Sequence, residues 1–253
     1  MTEAFNLEHY IMHHVMDGKE WHLPFLPAIK LPFITLHGLM LVLCAIFLIV
    51  LFGVLYNKKE RVPTGLTNAL EAFVIFIRDD IAIANLGEKD GKAMAPLFCT
   101  FFFFILGLNL MGLIPLFAAA TANVNVTAAL ALVTLVCMVG GAIYKNGLIG
   151  FLKALAPSGV PAPLLLLLFP IEFLGLFIKT LALTIRLFAN MLAGHIVIFA
   201  LLGLVVMLGV WALPAVGLAI FISLLEVLVV FLQAYIFTLL SAMFIGQMYH
   251  PSH

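Results

Sequence analysis

Few residues in this chain could do chemistry, and the most conspicuous of them lies where charge is least expected. Arg186 sits inside Leu181-Ala-Leu-Thr-Ile-Arg186-Leu-Phe-Ala-Asn190-Met-Leu-Ala-Gly-His195, part of an apolar run long enough to cross a bilayer. From Val160 to Tyr249 the only Asp, Glu, Lys or Arg residues are Glu172, Lys179, Arg186 and Glu226. An ionisable group at such depth marks a functional site by default.

Spacing sorts these groups into two sets. Seven residues are close to two helical turns, so Glu172, Lys179 and Arg186 form one file on a helix face, and Asn190, four further on, joins it. His195 is nine positions from Arg186, roughly half a turn away, and looks in another direction. On the following apolar run Glu226 and Gln233 are again seven apart, with Ser223 three before the glutamate.

The two sets differ in what they can do with a proton. Arginine does not release its proton in a protein, so it cannot be a link in a proton wire. It can block one by repelling a passing cation, or strip the proton from a carboxyl brought beside it. Histidine and a membrane carboxylate can both exchange protons near neutrality, so His195 and Glu226 could relay protons between water and a site. The bland alternatives are a hydrogen-bonded structural histidine and, for Gln233, inter-helix glue. Burying Arg186 costs about 2.5 to 3.5 kcal/mol on insertion scales, so it needs a partner or water. Glu172 is fourteen residues, about 21 Å, along the helix and out of reach. The arginine's mate is expected on another subunit.

The elements that position these groups follow from hydropathy. With 65% hydrophobic residues, 9% charged and mean hydropathy +1.24, the chain is expected to be an all-α integral membrane protein. No alternating ten-residue pattern suggests a β-barrel. Cys44, Cys99 and Cys137 fall in apolar runs without metal-ligand spacing and are packing residues. No basic, aromatic-rich segment exists to bind nucleic acid.

Residues 1–32 form an exterior segment in which His9, His13, His14 and His22 accompany Trp21; the segment lacks the pattern of a signal peptide. Residues 33–56 are the first transmembrane helix, followed at once by the basic cluster Lys58, Lys59 and Arg61. Residues 66–84 carry Glu71, Arg78, Asp79 and Asp80 and are expected to lie along the interface as an amphipathic helix. A transmembrane hairpin covers 94–144, with the turn at about 119–126, and a long tilted hairpin covers 164–248. The run from Leu164 to Gly209, at ~1.5 Å per residue, is too long for one perpendicular span and is either two spans or one steeply tilted helix. With five crossings, eight basic residues fall inside and only Lys19 and Lys30 outside, which sets the N-terminus exterior and the C-terminus cytoplasmic.

The arginine segment, followed by Glu226 and Leu-Gln233-Ala-Tyr-Ile-Phe, closely resembles subunit a of the F-type ATP synthases. Asn109-Leu-Met-Gly-Leu-Ile-Pro115 and Thr121-Ala-Asn-Val-Asn-Val-Thr127 extend the similarity over most of the chain. The resemblance implies five transmembrane helices plus one interfacial helix, with the last two helices a tilted hairpin facing a rotor ring. It implies a non-catalytic stator half-channel that conducts protons to and from the carboxylates of an oligomeric c-ring, without cofactor or metal. Arg186 matches the family's essential arginine, Asn190 and Gln233 its polar neighbours, and Glu172 and Lys179 polar positions toward the cytoplasm. His195 and Glu226 match the paired acid and imidazole, here with the histidine first. Implied partners are the c-ring, peripheral-stalk subunit b, other ATP synthase subunits and membrane lipid, in a bacterial plasma membrane. A secondary transporter using Arg186 for an anionic substrate is the alternative, but the halves show no internal repeat. No phosphate-cradling glycine loop is present.

Overall fold

The computed structural model describes residues 18, 20–21, 29–31, 33–55, 65–114, 117–155 and 162–250. Among them, helices α1 (Leu36–Val50), α2 (Leu66–Phe76), α3 (Ala84–Leu113), α4 (Val124–Ala154), α5 (Ala162–Leu208) and α6 (Leu213–Tyr249) account for nearly everything. Five helical stretches are long and apolar enough to cross a membrane: Leu36–Gly53, Leu66–Leu113, Val124–Ala154, Leu164–Val205 and Leu213–Tyr249. The fold is all-α and the chain is a multi-pass membrane protein. The exception among the described residues, which nothing in the sequence foretells, is a two-residue ladder in which β1 (Glu20–Trp21) pairs antiparallel with β2 (Ile29–Lys30). His9, His13, His14 and His22 lie outside the described residues.

Helix α1 starts at Thr35, whose hydroxyl accepts from the Gly38 amide at 3.2 Å, a side-chain N-cap. It runs on through a wide π turn, Leu51–Leu55. A second π turn, Ile77–Ile83, joins α2 to α3, and the chain reverses at Gly87, where φ is 77° and ψ 172°. Only glycine takes that backbone region without strain.

The reversal lays α2 lengthwise on α3. Phe73 stacks on Phe102 at 5.7 Å between ring centroids and meets Phe103 edge-on at 6.4 Å, so residues some fifteen positions either side of Gly87 touch. Leu70, Ile77 and Ile81 are buried in the same contact, while Arg78 and Asp79 pair on the outer side at 2.7 Å. The amphipathic pattern of α2 thus has a protein surface to face. Phe101, Phe102 and Phe103 are all buried, and Phe101 meets Phe237 of α6 edge-on at 5.6 Å. Such ring pairs contribute about 0.5–1.5 kcal/mol each beyond their burial.

Helix α3 ends at Leu113, five residues earlier than hydropathy suggests, because Ile114 takes an extended backbone (φ −87°, ψ 121°). It precedes Pro115, whose ring disfavours the helical conformation in the residue before it. A 3₁₀ turn at Ala120–Ala122 leads to Asn123, whose side chain caps α4 by accepting from the Asn125 amide at 2.9 Å.

Helices α5 and α6 form an antiparallel hairpin about a 3₁₀ turn at Gly209–Ala212. With 47 and 37 residues they extend about 70 and 55 Å, roughly twice the ~30 Å of hydrocarbon, so both must incline steeply to stay in a bilayer. Thr134 and Ser241, both buried, hydrogen-bond at 3.0 Å and tie α4 to α6.

Candidate functional site

The residues singled out from the sequence are brought together along the α5–α6 hairpin in three steps from the turn. His195 stands opposite Glu226, with Nδ1 3.6 Å from Oε1. One and a half turns on, Asn190 Nδ2 donates to Gln233 Oε1 at 2.9 Å. Farther along, Lys179 Nζ donates to Gln247 Oε1 at 3.0 Å and lies 5.3 Å from the Phe244 ring centroid. Hydrogen bonds of this kind between membrane helices contribute about 0.6–2 kcal/mol each and fix the register of the hairpin.

Arg186 is on the outer side of this seam. Its side chain is exposed, with neither an ion pair nor a hydrogen bond to any described residue. Around it α5 presents exposed Ile178, Leu181 and Ile185, and α6 presents exposed Leu224, Leu225 and Leu228 along its own outer surface. An unpaired guanidinium within a broad apolar face is stable only against water or a complementary anion. Glu172, on the same file, is half-buried and not joined to the arginine.

Behind the seam the polar groups face a cavity of about 280 Å³, lined by Gly112, Phe117, Ala119, His195, Ser223 and Glu226 among apolar neighbours. Glu226 is 7% exposed, and neither carboxylate oxygen accepts a hydrogen bond. A second gap of about 10 Å³, close to the room one water needs, is lined by Asn109, Asn190, Glu226 and Gln233. Gln233 Nε2, buried and without a hydrogen-bond partner, belongs to the same group of side chains. Glu226 therefore lies between the larger cavity and the Asn190–Gln233 pair that borders Arg186.

The model of the family described as "ATP synthase A chain" matches residues 38–246, which include every one of these positions except Gln247. The chain belongs to the ATP synthase subunit a family. It is 53% identical over 218 residues to "ATP synthase subunit a" of Anaeromyxobacter dehalogenans strain 2CP-C, covering 84% of this chain and 57% of that one. The chain thus spans little more than half of that relative's length. It is 45% identical over 260 residues to the protein of the same name from Chloroherpeton thalassium, covering 96% and 77%. Against the Myxococcus xanthus protein it is 42% identical over 264 residues, covering 95% and 87%.

Several residues of this subunit a family site carry no charge and were given no place in it from the sequence, although Asn109 and Gly112 lie in the segment 109–115 that carries the family resemblance. Gly194 is one: a Cβ there would lie 2.2 Å from Glu226 Oε1, so glycine is what lets the carboxylate come up to α5. Gly112 is another, since its carbonyl oxygen lies 3.0 Å from His195 Nε2 and it comes from α3, 83 residues away. Asn109 Oδ1 accepts from buried Thr121 at 2.7 Å, which fixes its amide beside the smaller gap. The sequence signals were a glycine preceding a histidine and the family-like segment 109–115; the contact of the Gly112 carbonyl with His195 left none.

Proposed function

We propose that this chain is the stator of a rotary F-type ATP synthase, a non-catalytic subunit that conducts protons to and from the carboxylates of an oligomeric c-ring. The observation that carries the reading is the placement of Arg186: exposed and unpaired on the apolar face of the hairpin, with Glu226 and His195 behind the Asn190–Gln233 pair. The anion that completes the guanidinium is the c-subunit carboxylate passing through the same plane.

In this reading a proton enters from the exterior by way of the 280 Å³ cavity, passes Glu226 and the smaller gap, and protonates a ring carboxylate. The ring carries it through lipid for most of a turn. On return, Arg186 lowers the carboxylate's affinity for the proton by charge and releases it toward Lys179, Gln247 and Glu172 on the cytoplasmic side. Because arginine keeps its own proton, it also prevents a short circuit between the two paths. Each proton releases about 2.3 kcal/mol per 100 mV, so several are pooled for one ATP.

The membrane is a bacterial plasma membrane, with the N-terminus exterior and the C-terminus cytoplasmic. Peripheral-stalk subunit b and other ATP synthase subunits hold the chain against the ring's torque, and residues 66–84 lie near the cytoplasmic interface where their charges reach water. The segments 1–32, 33–56, 66–84, 94–144 and 164–248 form one membrane domain.

The test is ATP-driven acidification of inverted membrane vesicles carrying Arg186→Ala, with assembly of the complex checked in the same preparation. Pumping is expected to fall to the background of vesicles without ATP while the complex still assembles. Pumping at the unaltered level would make the arginine structural and end the reading.

A further inference from the structure

The last turns of α4 carry an apolar surface that no described residue covers. The helix breaks at Gly147, where φ is 73° and ψ 170°, close to the values at Gly87, 77° and 172°. Both lie in a region that glycine alone takes without strain. The piece beyond the break, residues 148–154 with Leu155 as its cap, therefore leaves the line of the membrane-crossing helix. Phe151 and Leu155 fasten it: both are buried, in one cluster with Leu176 of α5 and Met248 of α6. Just before the break, Asn146 Nδ2 lies 3.3 Å from the Met248 and Tyr249 carbonyl oxygens, and Lys145 pairs with Asp90.

Side chains fall round this short helix in a fixed order. At about 100° per residue, Phe151 and Leu155 occupy the inner side, Leu148, Leu152 and Ile149 fill the next about 100°, and Lys153 stands at the edge beyond them. The middle three are exposed, Ile149 by 73%, and so is Lys153. Going round the helix thus leads from protein core, through an apolar arc, to a basic side chain. The arc continues a file on the membrane-crossing part of α4, where Leu132, Val136 and Tyr144 are exposed on one face, Tyr144 by 94%. Beside the Lys145–Asp90 pair, this arc cannot lie in the hydrocarbon centre. Three large apolar side chains together are equally out of place in water. The boundary between acyl chains and headgroups meets both demands, and it is the depth at which tyrosine is enriched.

We propose that residues 148–155 are an interfacial helix seated in one leaflet of the bilayer, with Leu148, Ile149 and Leu152 among the upper acyl chains and Lys153 at the phosphates of the headgroups. The occupant of the surface is phospholipid for two reasons. The apolar arc is continuous with the outer face of a membrane-spanning helix, and the one charged side chain at its rim is basic, complementary to a phosphate. The leaflet is the one at the Gly87 end of the bundle, and the inference holds whichever way the chain faces across the membrane. Through Asn146 the seated helix ties the last turn of α6 to that leaflet.

The test uses the assembled complex in phospholipid vesicles, with a bimane fluorophore on Ile149→Cys; the background of the native cysteines is read on the complex without the added one and subtracted. Lipids brominated high on their acyl chains are expected to quench the label severalfold more than aqueous iodide present on both sides of the membrane. At Lys153→Cys the order is expected to reverse. Leu152→Cys repeats the acyl-chain result should a label at 149 disturb assembly. Stronger quenching by iodide at 149 and 152 would put the helix in water, and protection from both quenchers would put another subunit over it; either result overturns the proposal. Brominated lipid prevailing at 153 as well would place Lys153 among the acyl chains and overturn it too.

Discussion

The two ends of the helical bundle treat charge in opposite ways. At the end carrying Gly87, charges that meet are matched: Lys145 pairs with Asp90, and His250 Nε2 lies 3.1 Å from the same carboxylate and 2.9 Å from the Leu86 carbonyl oxygen. Asn146 Nδ2 is 3.3 Å from each of the Met248 and Tyr249 carbonyl oxygens, satisfying the last turn of α6. At the end carrying Ala120, Glu226 is buried beside a cavity with no hydrogen bond to either oxygen. A matched cluster holds helices in place. An unmatched carboxylate stores the capacity to take up a proton, because a buried anion lacking hydrogen bonds has the most to gain from neutralisation.

That contrast gives its sharpest test at the His195–Glu226 pair. The chemistry of one acid and one imidazole suggests from sequence alone that exchanging them should preserve more transport than His195→Ala. The structure argues the opposite. A carboxylate at position 195 would face the Gly112 and Met191 carbonyl oxygens, which offer it no hydrogen, in place of a ring that can donate an N–H. The exchanged variant is expected to pump no better than His195→Ala, both near background. Substantially higher pumping in the exchanged variant would show that the pair works as a symmetric relay and that the carbonyls do not dictate which residue stands where.

A smaller loss is expected one step along the seam. Gln233→Leu removes the acceptor of the Asn190 amide and one polar wall of the smaller gap, but leaves a side chain of similar bulk. The hydrogen bond is worth about 0.6–2 kcal/mol, too little to dismantle a hairpin held by two long helices. Pumping per assembled complex should fall severalfold with the amount of complex unchanged. Disappearance of the subunit from purified complexes would make Gln233 structural.

How far these distinctions were legible in the sequence depends on the distance over which they act. Arg186, Lys179 and Glu172 announce themselves because membrane helices tolerate few charges, and helical spacing puts them in one file. The inclined hairpin follows from the lengths of apolar sequence together with the split of basic residues, which favours five crossings over six. Neither source of information reaches Gly112, whose role is a backbone oxygen presented to a side chain 83 residues away. Nor does it reach the lengthwise packing of α2 on α3: an amphipathic stretch has the same pattern whether its apolar face meets lipid or the phenylalanines at 101–103. Helix α3 stops at Leu113 for a local reason, Pro115, that hydropathy overlooks because the residues beyond it are equally apolar.

The Gly87 end supplies the smallest expected effect and the control for the largest. Asp90→Asn leaves Lys145 and His250 without their shared carboxylate, but at a site whose side chains are a quarter to a half exposed, so water can take over part of its work. Ion pairs so placed contribute about 1 kcal/mol or less. The substitution should lower the melting temperature of the purified complex slightly and leave ATP-driven pumping per complex as it was. The reason for expecting no change is specific: the cluster fastens the last turn of α6 to the start of α3 and lines neither the cavity nor the gap beside Glu226. A loss of pumping comparable to that of the His195 variants, at normal assembly, would mean that protons also depend on this cluster, and the division between a fastening end and a conducting end would have to be abandoned.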